Sequence, residues 1–273
     1  MKVKIFFIFL FFLSLHTPLL SLKLDRVILA CDNNANYTQF WPLAAQLWRE
    51  IVGVRPTLAF IAPHDVAIDE TLGDVIRFEP IEGVPTSLYA QCIRLLLPCL
   101  FPNDVCIISD IDTLPLQKEF FIKHITDIND DCFVVYRDRY YGWFEKRTYM
   151  SYNAAKGSVW REIFHVYHYE DIPPIIRAWE RHGLGWSTDE LLLYKYLRSW
   201  GKKNKRRLKK LGFKPNKKKR ISFKENLSHD IKRLSEADYI EINCPRPYES
   251  HKYKIDQIVQ LALLAHKKRE EKY

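Results

Sequence analysis

No two of the six cysteines stand at the C-x-x-C spacing of a zinc site or a dithiol redox motif. Cys31 and Cys106 fall in apolar, strand-like runs, Cys92 and Cys99 lie on a predicted helix, and Cys132 and Cys244 are isolated. Buried free thiols are the default reading; a disulfide stays open if the chain is exported, and the sequence does not pair them. No internal repeat runs through the chain. Acidic residues are missing altogether between Lys202 and Arg220, where twelve lysines and arginines crowd together. Removing those twelve charges from the formal +9 leaves −3, so the rest of the chain is mildly acidic. A basic surface spread over the whole domain is therefore absent, and no nucleic-acid partner is expected. General disorder is excluded as well, because 47% of the residues are hydrophobic and 14% aromatic. A chain of 273 residues suffices for one well-buried α/β domain, or at most two small ones.

The N-terminus carries a targeting pattern. Lys2 and Lys4 precede an apolar run over residues 5–15 built almost entirely from Ile, Phe and Leu, and His16-Thr17-Pro18 follows. A secretory apolar region holds about 7–15 residues, whereas a spanning helix needs about 20. Counting on to Leu22 gives a marginal span, interrupted by His16 and Pro18, with no small-x-small cleavage site behind it. Residues 1–22 are thus expected to be a signal peptide or a membrane anchor. The chain is expected to be exported or membrane-anchored, in a secretory lumen or cell envelope, with residues 24–273 as one domain.

From Asp25 onward, short apolar runs alternate with helical spacing. Residues 26–31, 56–62, 75–81 and 105–109 read as strands, and residues 39–52 and 87–100 read as helices. Residues 132–136 read as a further strand, and 188–200 and 254–268 as helices. This alternation predicts an α/β fold: a single Rossmann-like mixed sheet flanked by helices. In such sheets ligands bind beyond the carboxyl ends of the strands, where the polar clusters 32–37 and 110–112 both fall.

Asp110-Ile111-Asp112 is the strongest local signal. Two carboxylates one residue apart, after the buried run Val105-Cys106-Ile107-Ile108-Ser109, suit a hard divalent ion that shares oxygen ligands with phosphate. Two aspartates that cap a turn would look the same in isolation. Arg246 suits a diphosphate clamp, since guanidinium binds phosphate in bidentate fashion.

Three ordered segments carry a family resemblance: Ala30-Cys31-Asp32-Asn33-Asn34-Ala35-Asn36-Tyr37, then Arg94-Leu95-Leu96-Leu97-Pro98, then Ile107-Ile108-Ser109-Asp110-Ile111-Asp112. Together they resemble the GT-A-fold glycosyltransferases, in the nucleotide-diphospho-sugar transferase superfamily, nearest the glycogenin and family 8 galactosyltransferase type. The resemblance covers roughly residues 26–200. It implies that Asp32, Asn36 and Tyr37 contact the nucleobase and that Arg94 contacts the donor. It also implies that Asp110 and Asp112 serve Mn²⁺ or Mg²⁺, with Asp112 the direct ligand and Asp110 contacting the ribose or sharing the metal. Thr188-Asp189-Glu190-Leu191 resembles the family's downstream acidic element, which makes Asp189 and Glu190 candidate catalytic residues. An Asp that opens a helix is also an ordinary cap.

The expected activity is metal-dependent transfer of a sugar from a nucleotide-diphosphate donor, a UDP-sugar by resemblance, to a glycan, lipid or protein acceptor. A catalytically inactive binding protein on the same fold, for glycans or an anionic membrane surface, is the alternative. It draws on a departure from the pattern: relatives supply a third metal ligand from a C-terminal histidine, and Asn243-Cys244-Pro245-Arg246-Pro247-Tyr248 has none at that offset. His229, His251 and Asn243 are the substitutes on offer. Tyr140-Tyr141-Gly142-Trp143-Phe144 suits either acceptor stacking or a core cluster beneath a loop. Residues 202–220 read as a solvated, mobile insertion, with contact to an anionic membrane as the sharper alternative.

Overall fold

The computed structural model describes residues 21–138, 145–213, 220–221, 234 and 239–271. In chain order the elements begin with β1 (Arg26–Asp32), α1 (Ala35–Thr38), α2 (Trp41–Leu47), β2 (Arg55–Ile61), β3 (Asp74–Phe78), α3 (Thr86–Leu96) and β4 (Val105–Ile108). There follow β5 (Thr113–Pro115), α4 (Lys118–Ile122), β6 (Phe133–Val135), β7 (Asn153–Lys156), α5 (Gly157–Phe164), α6 (Ile172–Glu180) and α7 (Thr188–Lys203). The last are β8 (Leu208–Lys210), β9 (Arg220–Ile221), β10 (Glu241–Asn243) and α8 (Lys252–Glu270).

The main sheet is mixed, seven-stranded, and ordered β3-β2-β1-β4-β7-β6-β8. Strands β3, β2, β1 and β4 are parallel, β7 runs against both β4 and β6, and β8 is parallel to β6. All seven residues of β1 are buried, which is why it reads as a continuous apolar run rather than an alternating one. Its side chains alternate between two core layers. Val27, Leu29 and Cys31 join the layer containing α2, and Ile28 and Ala30 join the layer containing α3.

Residues 39–52 do form helix, but not a uniform one. After α2 the chain widens into a π-helical turn over Trp48–Val52 and stops at Gly53, whose φ of 81° belongs to the left-handed region glycine favours. The helix expected over 87–100 ends as α at Leu96 and continues as a 3₁₀ turn over Leu97–Leu100. Pro98 lacks an N–H and so cannot continue the α-helical hydrogen-bond ladder, and it sits in the first turn of the 3₁₀ segment instead.

A second sheet, ordered β5-β10-β9, was not foreshadowed by the hydrophobic pattern. Strand β10 runs antiparallel to β5 and parallel to β9, and it fastens the C-terminal part of the chain to the segment just after Asp112. The described part of the basic run 202–220 is built into the structure rather than standing apart from it. Lys202 and Lys203 close α7, Leu208–Lys210 forms the edge strand β8, and Arg220 lies in β9. Arg207 fixes the turn between α7 and β8: its guanidinium meets Glu162 at 2.8 and 3.0 Å and the Asp131 carbonyl at 2.8 Å. Residues 214–219 of that run, the segment 140–144, His229 and residues 1–20 lie outside the described residues. All six cysteines are buried free thiols. Among the described residues, no helix is long and apolar enough to cross a membrane.

Candidate active site

Strand polarity puts the carboxyl ends of β1 and β4 side by side, and a cavity of about 370 Å³ opens there. Eight of the nine site residues predicted from sequence line it: Asp32, Tyr37, Arg94, Asp110, Asp112, Asp189, Glu190 and Arg246. Asn36 does not. It is exposed on α1, and its backbone N–H donates to the Asn34 side chain at 3.0 Å, which caps that short helix. Of the residues on this short helix, Tyr37 is in the cavity lining and Asn36 is not.

The carboxylate pair sits between β4 and β5. Asp110 is held from both sides: the Arg94 guanidinium donates to Oδ1, and the Ser151 hydroxyl donates to Oδ2 at 2.5 Å. Burial alone would raise this carboxyl, but the Arg94 charge, with help from the Ser151 hydrogen bond and Arg220, outweighs it and holds Asp110 below the usual range. Asp112 is in the opposite situation. Burial and then the neighbouring Asp110 charge push it up to about 6, against the weaker pull of Arg246, whose Nε lies 3.7 Å from its carboxylate. The two neighbouring carboxylates are half-buried, with Asp110 32% and Asp112 15% exposed, and both present oxygens to the cavity.

Arg94, expected from the resemblance to contact the donor, lines the cavity and is also engaged by protein carboxylates. Its side chain is 8% exposed and bridges two carboxylates, Asp110 and, at 3.1 Å, Asp189. A guanidinium has a fixed planar fork, so Arg94 sets the separation of the two acids while also lining the cavity. Asp189 lies in the first turn of α7 but is not its N-cap, which is Ser187. Its other oxygen accepts from the Glu190 N–H at 2.8 Å, and burial drives its carboxyl up to about 7 despite Arg94. Glu190, the next residue, is more accessible, with 15% side-chain exposure, and it faces Arg147 at 4.0 Å.

The opposite wall joins the beginning and end of the chain. Arg246 donates to the Tyr37 hydroxyl and stacks its guanidinium over the same ring at 4.9 Å. Arg246 is 42% exposed, so it keeps donors available to an incoming anion. Strand β10 carries it into place: the Cys244 N–H donates to the Asp112 carbonyl at 2.8 Å, and Thr113 donates to the Asn243 side chain at 3.2 Å.

Of the three proposed substitutes for a third metal ligand, Asn243 lines the cavity and His251, just before α8, does not. Among the described residues, no three His, Cys, Asp or Glu side chains cluster as a metal site. Sequence reasoning missed Ser151, Tyr149, Trp186 and Arg147 as lining or supporting residues. The signal available was the aromatic and charged density of residues 137–151, whose described C-terminal part does form a wall of the cavity.

No family model matches the sequence, and no curated protein matches it. Solved structures share its general shape. The galactosyltransferase LgtC, in complex with donor and acceptor sugar analogs, is 12% identical, with a TM-score of 0.47 over 87% of this chain and 95% of that one. The glycosyltransferase GlyE of Streptococcus pneumoniae TIGR4 is 11% identical, with a TM-score of 0.49 over 90% of this chain and 64% of that one. The bifunctional glycosyltransferase WbbM, in its apo form, is 10% identical, with a TM-score of 0.43 over 81% and 45%. At this level of likeness, function has to be argued from the residues of the site itself.

Proposed function

We propose that the protein transfers a sugar from a nucleotide-diphosphate donor, a UDP-sugar by the character of its motifs, to a hydroxyl of a glycan, lipid or protein acceptor. The observation that carries this reading is the convergence of two acidic pairs and an accessible arginine in one cavity at the carboxyl edge of the parallel strands. The donor set fits Mn²⁺ or Mg²⁺. Asp112 has charge to spare, Asp110 retains lone pairs beside its two hydrogen bonds, and Asn243 offers a neutral oxygen nearby. Hard ions of this kind are commonly held by one or two carboxylates, with substrate phosphates and water completing the shell. When bound, such an ion neutralises the charge that gathers on the departing diphosphate.

The protein's own groups divide the remaining work. The Tyr37 ring and Asp32 form the nucleoside wall, and Asp32 is fixed by the Thr86 hydroxyl at 2.8 Å. Arg246, anchored on Tyr37, is placed to receive phosphate oxygens. Glu190 is the carboxylate presented to the reacting sugar and acceptor. Asp189 and Arg94 are positioning residues: they hold the first turn of α7 at a set distance from Asp110.

Titration calorimetry with UDP, with and without Mn²⁺, and a donor screen by mass spectrometry test this reading in the wild type and in Asp112→Ala. Binding of UDP should require the metal and should be lost in the variant. Donor hydrolysis or transfer that survives both chelation and the substitution refutes the mechanism. The two-carboxylate donor set is the observation that favours a non-catalytic binding protein. Metal-dependent UDP binding with no turnover of any donor would establish that alternative.

A further inference from the structure

Lys202, Lys203, Lys205 and Arg206 do not line the cavity, and their placement is informative. Helix α7 starts at the cavity with Asp189 and runs for 16 residues, or about 24 Å, to the far edge of the main sheet. Strand β8 begins on that far edge, since Leu208 pairs with Phe133 at the start of β6, level with the amino end of β4. Lys202 and Lys203 at the end of α7, and Lys205 and Arg206 in the turn that follows, are all exposed. None of the four meets an acid among the described residues, whereas the nearby acids are engaged: Asp130 with Lys156, and Asp131 and Glu162 with Arg207.

The N-terminal end of the described chain reaches the same corner. Ser21 forms a bridge with Asn129, and the Leu22 N–H donates to the Ile128 carbonyl at 2.7 Å. Asn129 is two residues from Asp131, whose carbonyl and carboxylate both hold Arg207. Ser21, where the described chain begins downstream of the apolar run in sequence, therefore lies near the four cations that meet no acid among the described residues. The turn that receives Ser21 also exposes Lys123 and Asp127, one charge of each sign.

We infer that this corner docks on an anionic lipid bilayer, with the apolar N-terminal run inserted and Lys202, Lys203, Lys205 and Arg206 against the headgroups. The cavity then opens on the face of the domain turned away from the membrane. The two signals reinforce each other: a short apolar run alone binds a bilayer weakly, and an adjacent basic cluster supplies the second attachment. This inference does not depend on the chemistry of the cavity.

The test uses the full chain and its variant Lys202→Glu/Lys203→Glu/Lys205→Glu/Arg206→Glu. Each is floated with phosphatidylcholine vesicles and with equimolar phosphatidylcholine–phosphatidylglycerol vesicles, at low and high salt. The apolar run is common to both chains, so the difference between them reports the corner. The wild type should partition at least about tenfold more strongly onto anionic vesicles, and both the substitutions and high salt should remove that preference. Equal partitioning of wild type onto the two vesicle types, or an undiminished preference in the variant, overturns the proposal. A four-fold neutral variant, each residue to Gln, serves if the reversed one fails to fold.

Orientation is read separately with a fluorophore on Lys205→Cys or on Glu82→Cys. Glu82 is exposed beyond the carboxyl end of β3, and the native thiols are buried. Quenching from labelled headgroups should be strong at position 205 and weak at 82, and equal quenching at both would overturn the orientation.

Discussion

Arg94 is the single cation shared by Asp110 and Asp189, so replacing it with Met isolates what that bridge contributes. Methionine approximates the volume of the aliphatic stem, which limits the cavity term, and leaves the buried Asp189 and the half-buried Asp110 without their partner. Breaking a buried ion pair from one side costs about 3–5 kcal/mol, because the orphaned charge stays desolvated. For a domain of this size that corresponds to a loss of roughly 6–20 °C in the melting temperature.

The loss has a defined pH dependence. Asp189 already sits at about 7, so in the wild type at pH 5 it is protonated and Arg94 opposes chiefly Asp110. At pH 8 both acids are charged, and removing Arg94 strands both. Each unit by which a folded carboxyl rises above its unfolded value costs about 1.4 kcal/mol once the pH exceeds that raised value. Urea denaturation of Arg94→Met and wild type at pH 5 and pH 8 should therefore show a destabilisation smaller at pH 5 by at least about 1 kcal/mol. A destabilisation below about 1 kcal/mol at pH 8, or one equal at both pH values, would refute the view that Arg94 is a buried charge bridge.

Other substitutions separate the remaining roles. The Asp189 carboxyl is raised from 3.8 to about 7, so its contribution to stability is fully present at low pH and is lost as the pH rises through 7. Asp189→Asn should flatten the fall in urea midpoint between pH 5 and pH 8, and an unchanged slope would count against the burial argument. Glu190→Gln should lower kcat by about 10²–10⁴-fold while calorimetric UDP affinity stays at the wild-type value. Arg246→Ala should weaken UDP binding by about 10–100-fold, as expected for a lost charge-assisted hydrogen bond, and Tyr37→Phe should weaken it less.

The parts of this architecture that were legible in sequence are those written locally. The run Val105–Ile108 followed by Asp110-x-Asp112 shows a buried strand and its cavity-lining end within eight residues, and the same holds for β1 and Asp32. What stayed hidden depends on partners distant in sequence. The contact that redefines Arg94 comes from Asp189, 95 positions later, and the Ser151 support for Asp110 comes from 41 positions later. The small sheet was invisible because β5, β9 and β10 are two or three residues long and carry no periodicity to detect. Strand β8 was masked for another reason. As an edge strand of Leu-Lys-Lys it has one apolar side chain, and only the Arg207 contacts and the pairing with β6 reveal it as part of the sheet.

Strand β10 also has a bearing on how the molecule comes into being. Thr113 waits for a partner 130 residues downstream, and Tyr37 for one 209 residues downstream. Contacts of such separation form late, after the entropy of closing long loops has been overcome. A growing chain that has already built β1, β2 and β4 still lacks the segment that brings Arg246 opposite Asp112. Nascent and prematurely terminated chains would thus carry the carboxylates without their guanidinium wall. The cavity is complete only once residues 241–246, the last of its lining segments in chain order, have paired with β5.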